Sequence, residues 1–161
     1  MTPGRIYKVH GFILKRRSAG ETDRILTVFT KEYGKIRVIA KGVRRINSRR
    51  SGHTEVFRQV ALTISKGKGL DVVGEATTLE EQPELSQDLS KVTLAYYVCE
   101  LVDQLLPERQ EHRDIFILLG EVLQKIADSN DLPSGEEILL GFEHQLLWSL
   151  GFLPRSQLLA I

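Results

Sequence analysis

Lys41, Arg44, Arg45, Arg49 and Arg50 crowd into AKGVRRINSRRSG (Ala40–Gly52), and no acid interrupts them. Ammonium and guanidinium groups at this density suit phosphate: they neutralise it and release the counterions condensed along a nucleic acid. Lys15, Arg16 and Arg17 form a second cluster, Lys35 and Arg37 lead into the first, and Arg24 lies between. These residues are the candidate phosphate-contacting set. The chain's formal net charge of +1 hides them. Residues 1–73 hold 17 Lys and Arg against 5 Asp and Glu, a balance of +12; residues 74–161 hold 5 against 16, a balance of −11. Such segregation points to nucleic acid as the partner of the basic half. No predicted recognition helix carries the charge, which implies contact with the backbone rather than reading of bases.

Other chemistries lack their residues. His10, His53, His112 and His144 form no i, i+4 metal pair and no HExxH, and the adjacent Glu143 and His144 do not share a helix face. GKGL (Gly67–Leu70) lacks the GxxxxGK[ST] of a phosphate loop. Asp23 and Asp71 are the only aspartates of the basic half, too few for a two-metal nuclease. Ser18, Ser48 and Ser51 have no GxSxG context. One cysteine, Cys99, can form neither an internal disulfide nor a cysteine-based zinc site. The expectation is a protein that is not an enzyme, with no catalytic residue, metal or cofactor. No apolar run approaches the ~20 residues of a membrane span, and MTPGRIYKVHG lacks the apolar middle of a signal peptide. These features predict a cytoplasmic, nucleoid-associated protein with no membrane contact.

The elements that must carry the charges change type midway. Tyr7–Arg17, Arg24–Thr30, Lys35–Lys41, Glu55–Ser65 and Leu70–Glu80 read as strands. KEYG joins the second and third as a hairpin, and two glycines punctuate Ser65–Leu70. In the third, Ile36, Val38 and Ala40 face one way, with Lys35, Arg37, Ile39 and Lys41 opposite. Five short strands without intervening helices suggest a small barrel, and five is the strand number of the OB-fold. Among its aromatics, Phe29 is expected in the core, while Tyr33 and Phe57 are candidates for base stacking. Three helices follow: Ser86–Leu106 with Ser86 as N-cap, Arg113–Ser129, and Glu136–Leu150 opened by a Ser134/Glu137 capping box and stopped at Gly151. Trp148 falls in the apolar pattern of the last. The fold class is therefore α+β: a five-stranded barrel over residues 1–80, OB-fold or SH3-like, basic and suited to nucleic acid, then an acidic helical domain over 81–161, parted at EEQPE.

GFILKRRSAGETDRILTVFTKEYGKIRVIAKGVRR (Gly11–Arg45) resembles the N-terminal segment of the RecO family of bacterial recombination and DNA-repair proteins. The matching positions are Gly20, Glu21, Asp23, Ile25, Phe29, Thr30, Gly34, Ala40, Lys41, Gly42 and Arg44. AYYVCELVDQLLPE (Ala95–Glu108) and FEHQLLWSLGFLP (Phe142–Pro154) are similar to its helical region. The resemblance implies an OB-fold and a helical domain that bind single- and double-stranded DNA without strong sequence preference and anneal complementary strands. It also implies work with RecR and single-strand-binding protein in loading the recombinase RecA. Family members usually continue well past the "LG..P" element, many with a four-cysteine zinc motif. This chain stops at Ile161, so that site is expected to be missing and an apolar surface to be left around Trp148, Phe152 and Leu153.

Two other functions fit the same residues. A protein–protein adaptor would use an apolar groove such as the Ile115–Ile126 face, with Arg109, Arg113 and Lys125 meeting the acidic, apolar-ended tail of single-strand-binding protein. An RNA-binding OB protein shares the charge pattern and differs in reading the 2′-hydroxyl. Within AKGVRRINSRRSG, Lys41 is expected to be held on the sheet, and Val43–Gly52 to order only on binding.

Overall fold

The computed structural model of the chain describes residues 5–45, 48–130 and 132–152. Five strands close a barrel in the order β1-β2-β3-β5-β4: β1 Ile6–Ala19, β2 Asp23–Thr30, β3 Gly34–Ala40, β4 Gln59–Ser65 and β5 Asp71–Glu80. Closure needs one strand to serve two neighbours. The 14-residue β1 does this, pairing β4 through Ile6–Phe12 and β2 through Gly11–Ala19. A register shift between Ile13 and Lys15 bends it. β3 and β5 complete the ring with a short parallel pairing, Val38 to Asp71 and Ile39 to Val72. Alternation fills the interior with Val9, Ile13, Leu26, Val28, Ile36, Val38, Val60, Leu62, Ile64 and Val73, all buried. Burial of each such side chain contributes ~1.5–3 kcal/mol.

The fourth strand starts at Gln59 rather than Glu55. A single 3₁₀ turn, Gly52–Thr54, precedes it, and Phe57 sits at φ 70°. That left-handed residue breaks the alternation and swings the Phe57 ring into the core, only 5% exposed, so it is no stacking surface.

α1 (Glu84–Gln87), α2 (Leu89–Leu105), α3 (Arg113–Asp128) and α4 (Leu132–Ser149) follow. The first predicted helix is thus two. Asp88 leaves the helical region, and its Oδ1 accepts from Ser90 N and Lys91 N at 3.0 and 3.2 Å. Asp88, not Ser86, is the N-cap of α2. Ser134 lies inside α4, which already begins at Leu132, because Pro133 has no N–H to leave unpaired in a first turn. α4 stops as predicted: Gly151 N donates to Trp148 O and Phe152 N to Leu147 O, a Schellman cap.

The chain divides into two compact units: Met1–Glu81 with Cys99–Glu111, and Gln82–Val98 with His112–Ile161. The segment Cys99–Glu111 thus groups with the barrel, whereas the sequence pattern places it in the helical domain. In the second unit, Ile115, Leu119, Val122, Leu123 and Ile126 of α3 are buried together with Phe142 and Leu146 of α4. Most of the Ile115–Ile126 face is therefore core, and only Leu118 and Val122 border a small groove against α4. Trp148 is 41% exposed and Phe152 65%, while Leu153 lies outside the described residues. No helix among the described residues is long and apolar enough to cross a membrane.

Candidate nucleic-acid interface

Strand register sorts the predicted cations into two groups. Leu26 and Val28 face the barrel interior, so Ile25, Thr27 and Phe29 face out. Lys15 pairs with Thr27, which pairs with Arg37; Arg17 pairs with Ile25, which pairs with Ile39, which pairs with Val72. Directly paired residues share a face. Lys15, Arg17 and Arg37, with Lys41 just past β3, therefore stand on the outer surface of β1–β2–β3. All four are exposed, around a half-buried floor of Ile25, Ile39 and Val72. Cations that track phosphates are the electrostatic part of what a single strand requires, while base stacking needs aromatic rings that this aliphatic floor does not supply.

Arg16 and Arg24 fall on the other register, opposite Leu26 and Ala40, where the interior opens at the barrel's end. Both turn to Glu55: Arg16 Nη2 lies 3.1 Å and Arg24 Nη1 3.6 Å from its carboxylate. Arg24 also donates to Thr54 Oγ1 at 3.0 Å, and its side chain is only 15% exposed. Desolvation, reinforced by the neighbouring Arg16, lowers its pKa below the usual arginine range. Arg24 seals the barrel mouth rather than presenting charge.

Lys35 is the second departure. Its face is covered by the segment after α2, which adds a one-residue bridge between Lys35 and Glu108. Lys35 Nζ donates to Asp103 O at 2.7 Å and pairs with Asp103 Oδ1 at 3.3 Å, leaving the side chain 12% exposed. Arg109 N donates to Lys35 O at 2.8 Å. Phe29, on this covered side, is fully buried, outside the barrel rather than within it.

Arg109, expected to meet a partner, fastens the same segment. Its guanidinium lies 3.2 Å from Asp71 Oδ2, which also accepts from Tyr7 Oη at 2.5 Å; Gly67 N donates to Asp71 Oδ1 at 3.3 Å. Burial alone would raise the Asp71 pKa, but hydrogen bonds from Tyr7, Gly67 and Arg109 hold it below the usual carboxylate range. Burial and the bond to Asp71 push the Tyr7 phenol up to about 12. Tyr33 stacks edge-on against Tyr7, centroids 5.4 Å apart, and keeps 43% exposure. It alone of the two stacking candidates still offers a ring. Arg113 and Lys125 are exposed on α3. Lys125 edges a groove of about 160 Å³ between α3 and α4 together with Glu121 and Glu137, with Leu118, Val122, Ile138 and Phe142 in its walls, so its rim carries more negative than positive charge.

The cationic loop is fastened along most of its described length, contrary to the expectation that it orders only on binding. Val43 is fully buried in the barrel core. Arg44 N donates to Thr22 O at 2.9 Å, and its guanidinium to Gly20 O at 3.1 Å. Arg50 donates to Val73 O at 2.9 Å and to Lys41 O. Asp23 Oδ1 accepts from Gly42 N at 2.8 Å, the main cause of its lowered pKa. Ile46 and Asn47 lie outside the described residues. Between the loop and the β1–β2 turn opens a pocket of about 580 Å³, lined by Thr22, Asp23, Lys41, Gly42, Arg45, Ser48, Arg49 and Arg50.

The structure thus gathers Lys15, Arg17, Arg37, Lys41, Arg45 and Arg49 as exposed cations on the strand face and pocket. It commits Arg16, Arg24, Lys35, Arg44 and Arg50 to bonds within the fold. Among the exposed cations missing from the predicted set are Lys66 and Lys68 of the β4–β5 loop. Their signal is KGKG itself, since OB-folds bind through the strand 2–3 face together with the loops after strands 1 and 4. Asp23, the anchor of the cationic loop, is marked in the sequence only by its place among the positions that match the family pattern. The histidines serve locally: His10 pairs with Glu32 at 2.7 Å, and His53 Nδ1 accepts from Thr78 N at 3.1 Å. No group of His, Cys, Asp and Glu among the described residues could hold a metal ion.

A closed five-stranded barrel in this strand order, with its cations on the β1–β2–β3 face, is an OB-fold, here followed by helices. Its lineage is as definite. Residues 1–81 match the family model for the N terminus of recombination protein O, and residues 86–157 the model for its C terminus. The chain belongs to the RecO family. It is 35% identical over 149 residues to the DNA repair protein RecO of Symbiobacterium thermophilum, covering 92% of this chain and 58% of that one. Identity to the DNA repair protein RecO of Trichodesmium erythraeum is 42% over 122 residues, 76% of this chain and 42% of the relative. For that of Roseiflexus sp. it is 34% over 151 residues, 94% and 52%. The chain spans about half the length of the curated relatives it matches.

Proposed function

We propose that this chain serves recombinational DNA repair by holding single- and double-stranded DNA through its phosphates, without reading sequence and without catalysing a covalent step. The observation that carries the reading is the register: it sets Lys15, Arg17, Arg37 and Lys41 on one outer face over an apolar floor. Positive charge spread over that face shields the repulsion between two phosphate backbones, which is the barrier to annealing complementary strands. Family membership supports the remaining steps, assistance to RecA loading together with RecR and single-strand-binding protein. The test is annealing of complementary labelled oligonucleotides, with and without single-strand-binding protein. The expected result is acceleration that Lys15/Arg17/Arg37/Lys41→Gln removes. A rate equal to spontaneous annealing would overturn the proposal, and equal affinity for a matched RNA strand would move the function toward RNA.

A further inference from the structure

The strand face accounts for a backbone track, but not for the pocket beside it. Lys41 belongs to both: it follows the outward β3 positions Arg37 and Ile39, and it lines the concavity. The pocket's charge is concentrated beyond what a passing backbone needs. Four cations, Lys41, Arg45, Arg49 and Arg50, face one carboxylate, Asp23, so about three positive charges are unbalanced. A phosphodiester supplies one negative charge, whereas a terminal phosphomonoester carries about −1.5 to −2 at neutral pH, with three strong acceptor oxygens. Parts of the walls are tied into the fold by bonds that involve no ligand. The Arg50 guanidinium is fixed by Val73 O and Lys41 O, Asp23 is fixed by Gly42 N, and Val43 is anchored in the core. Preorganised walls reduce the ordering cost of binding. Arg45 and Arg49 are exposed, and among the described residues their guanidinium groups are in no salt bridge, which leaves them to meet the ligand.

We infer that this pocket receives the terminal phosphomonoester of a DNA strand whose adjoining nucleotides lie on the β1–β2–β3 face. The inference rests on the DNA-binding reading and adds to it a preference for phosphorylated ends. A concavity walled by the loop and the β1–β2 turn favours a terminus over a continuing backbone, while Lys41 provides the continuity with the track.

The test uses the full chain and four single-stranded oligonucleotides: 5′-phosphorylated, 3′-phosphorylated, hydroxyl-ended, and hydroxyl-ended with one added nucleotide. The last adds one backbone charge without a monoester. Inorganic phosphate serves as competitor. One of the two phosphorylated forms is expected to bind about tenfold more tightly than both hydroxyl-ended forms, about 1.4 kcal/mol. Which one does so identifies the end. The advantage should shrink below pH ~6, where the monoester takes up its second proton. Arg45→Gln/Arg49→Gln should abolish the advantage while hydroxyl-ended DNA still binds. Inorganic phosphate should compete away the advantage alone. Equal binding of all four forms would overturn the inference and leave the DNA-binding reading standing. Failure to bind any form at low salt would overturn both. An advantage that survives Arg45→Gln/Arg49→Gln would place the end elsewhere and also overturn it.

Discussion

Two variants that remove the same formal charge should behave differently, because strand register and a covering segment leave one set of side chains open and engage the other. Lys15→Gln/Arg17→Gln/Arg37→Gln strips the outward face; Arg16→Gln/Arg24→Gln/Lys35→Gln strips residues engaged with Glu55 and Asp103. For a single strand, each phosphate left without its cation lowers the slope of log affinity against log salt by ~0.7, so the outward triple should flatten it by about 2. Over a fourfold rise in salt that slope difference compounds to roughly 20-fold in relative affinity. The engaged triple should leave the slope nearly unchanged and lose stability instead. Asp103 is 16% exposed and would be deprived of its ammonium partner, at ~1–3 kcal/mol. Glu55, 38% exposed, counts for less because solvent screens it. At ~2–4 °C per kcal/mol for a chain of this size, the engaged triple should melt several degrees lower. Fluorescence anisotropy across a salt series, paired with thermal melts, measures both quantities. Equal flattening of the slope in the two triples would refute the argument, since net charge rather than placement would then govern binding.

Gly34→Ala should be strongly destabilising: Gly34 has φ +69°, and a Cβ there would lie 1.9 Å from Gln110 O. The left-handed backbone alone costs ~1–2 kcal/mol, and an unchanged melting temperature would show that the segment after α2 does not lie against this turn. Asp71→Asn tests the Tyr7–Asp71–Arg109 cluster. Because the folded-state pKa of Asp71 is lowered, its contribution is present above the ordinary carboxylate range and lost on acidification. The denaturation midpoint of Asp71→Asn should therefore fall further below wild type at pH ~7 than at pH ~3, and an equal gap at both would argue against the charged pair. Cys99 is buried, and desolvation with Asp103 nearby pushes its thiol up to about 12. It should resist thiol reagents in the native protein and react fully in denaturant; rapid native labelling would contradict its burial.

Much of the fold is legible in local pattern. β-rich runs between turn residues mark all five strands, and β3 and β4 also alternate because one face of each fills the barrel; β1 and β2 do not, since a covering segment buries part of their outer face as well. Gly151 ends the last helix as its residue type implies. The failures have local causes too. Phe57 is misplaced by an alternation that its own left-handed backbone breaks. Asp88 is hidden as a cap because an apolar period runs on across it, although the backbone does not. Trp148 lies in a helical apolar pattern, yet 41% of it remains exposed among the described residues.

Segregation of charge, absence of catalytic and metal-binding patterns, and the succession of strands then helices were all determined by the sequence itself. Each depends on residue type and short spacing. Which cations are available was decided only in three dimensions. Arg16 and Arg17 are adjacent and chemically identical, but a strand sends neighbours to opposite faces, so one pairs with Glu55 and the other stands on the open face. Lys35 and Arg37 share an outward face, yet the segment carrying Asp103 and Glu108 covers the first and not the second. Those partners lie 68 residues or more along the chain from Lys35, a separation that no local pattern can bridge.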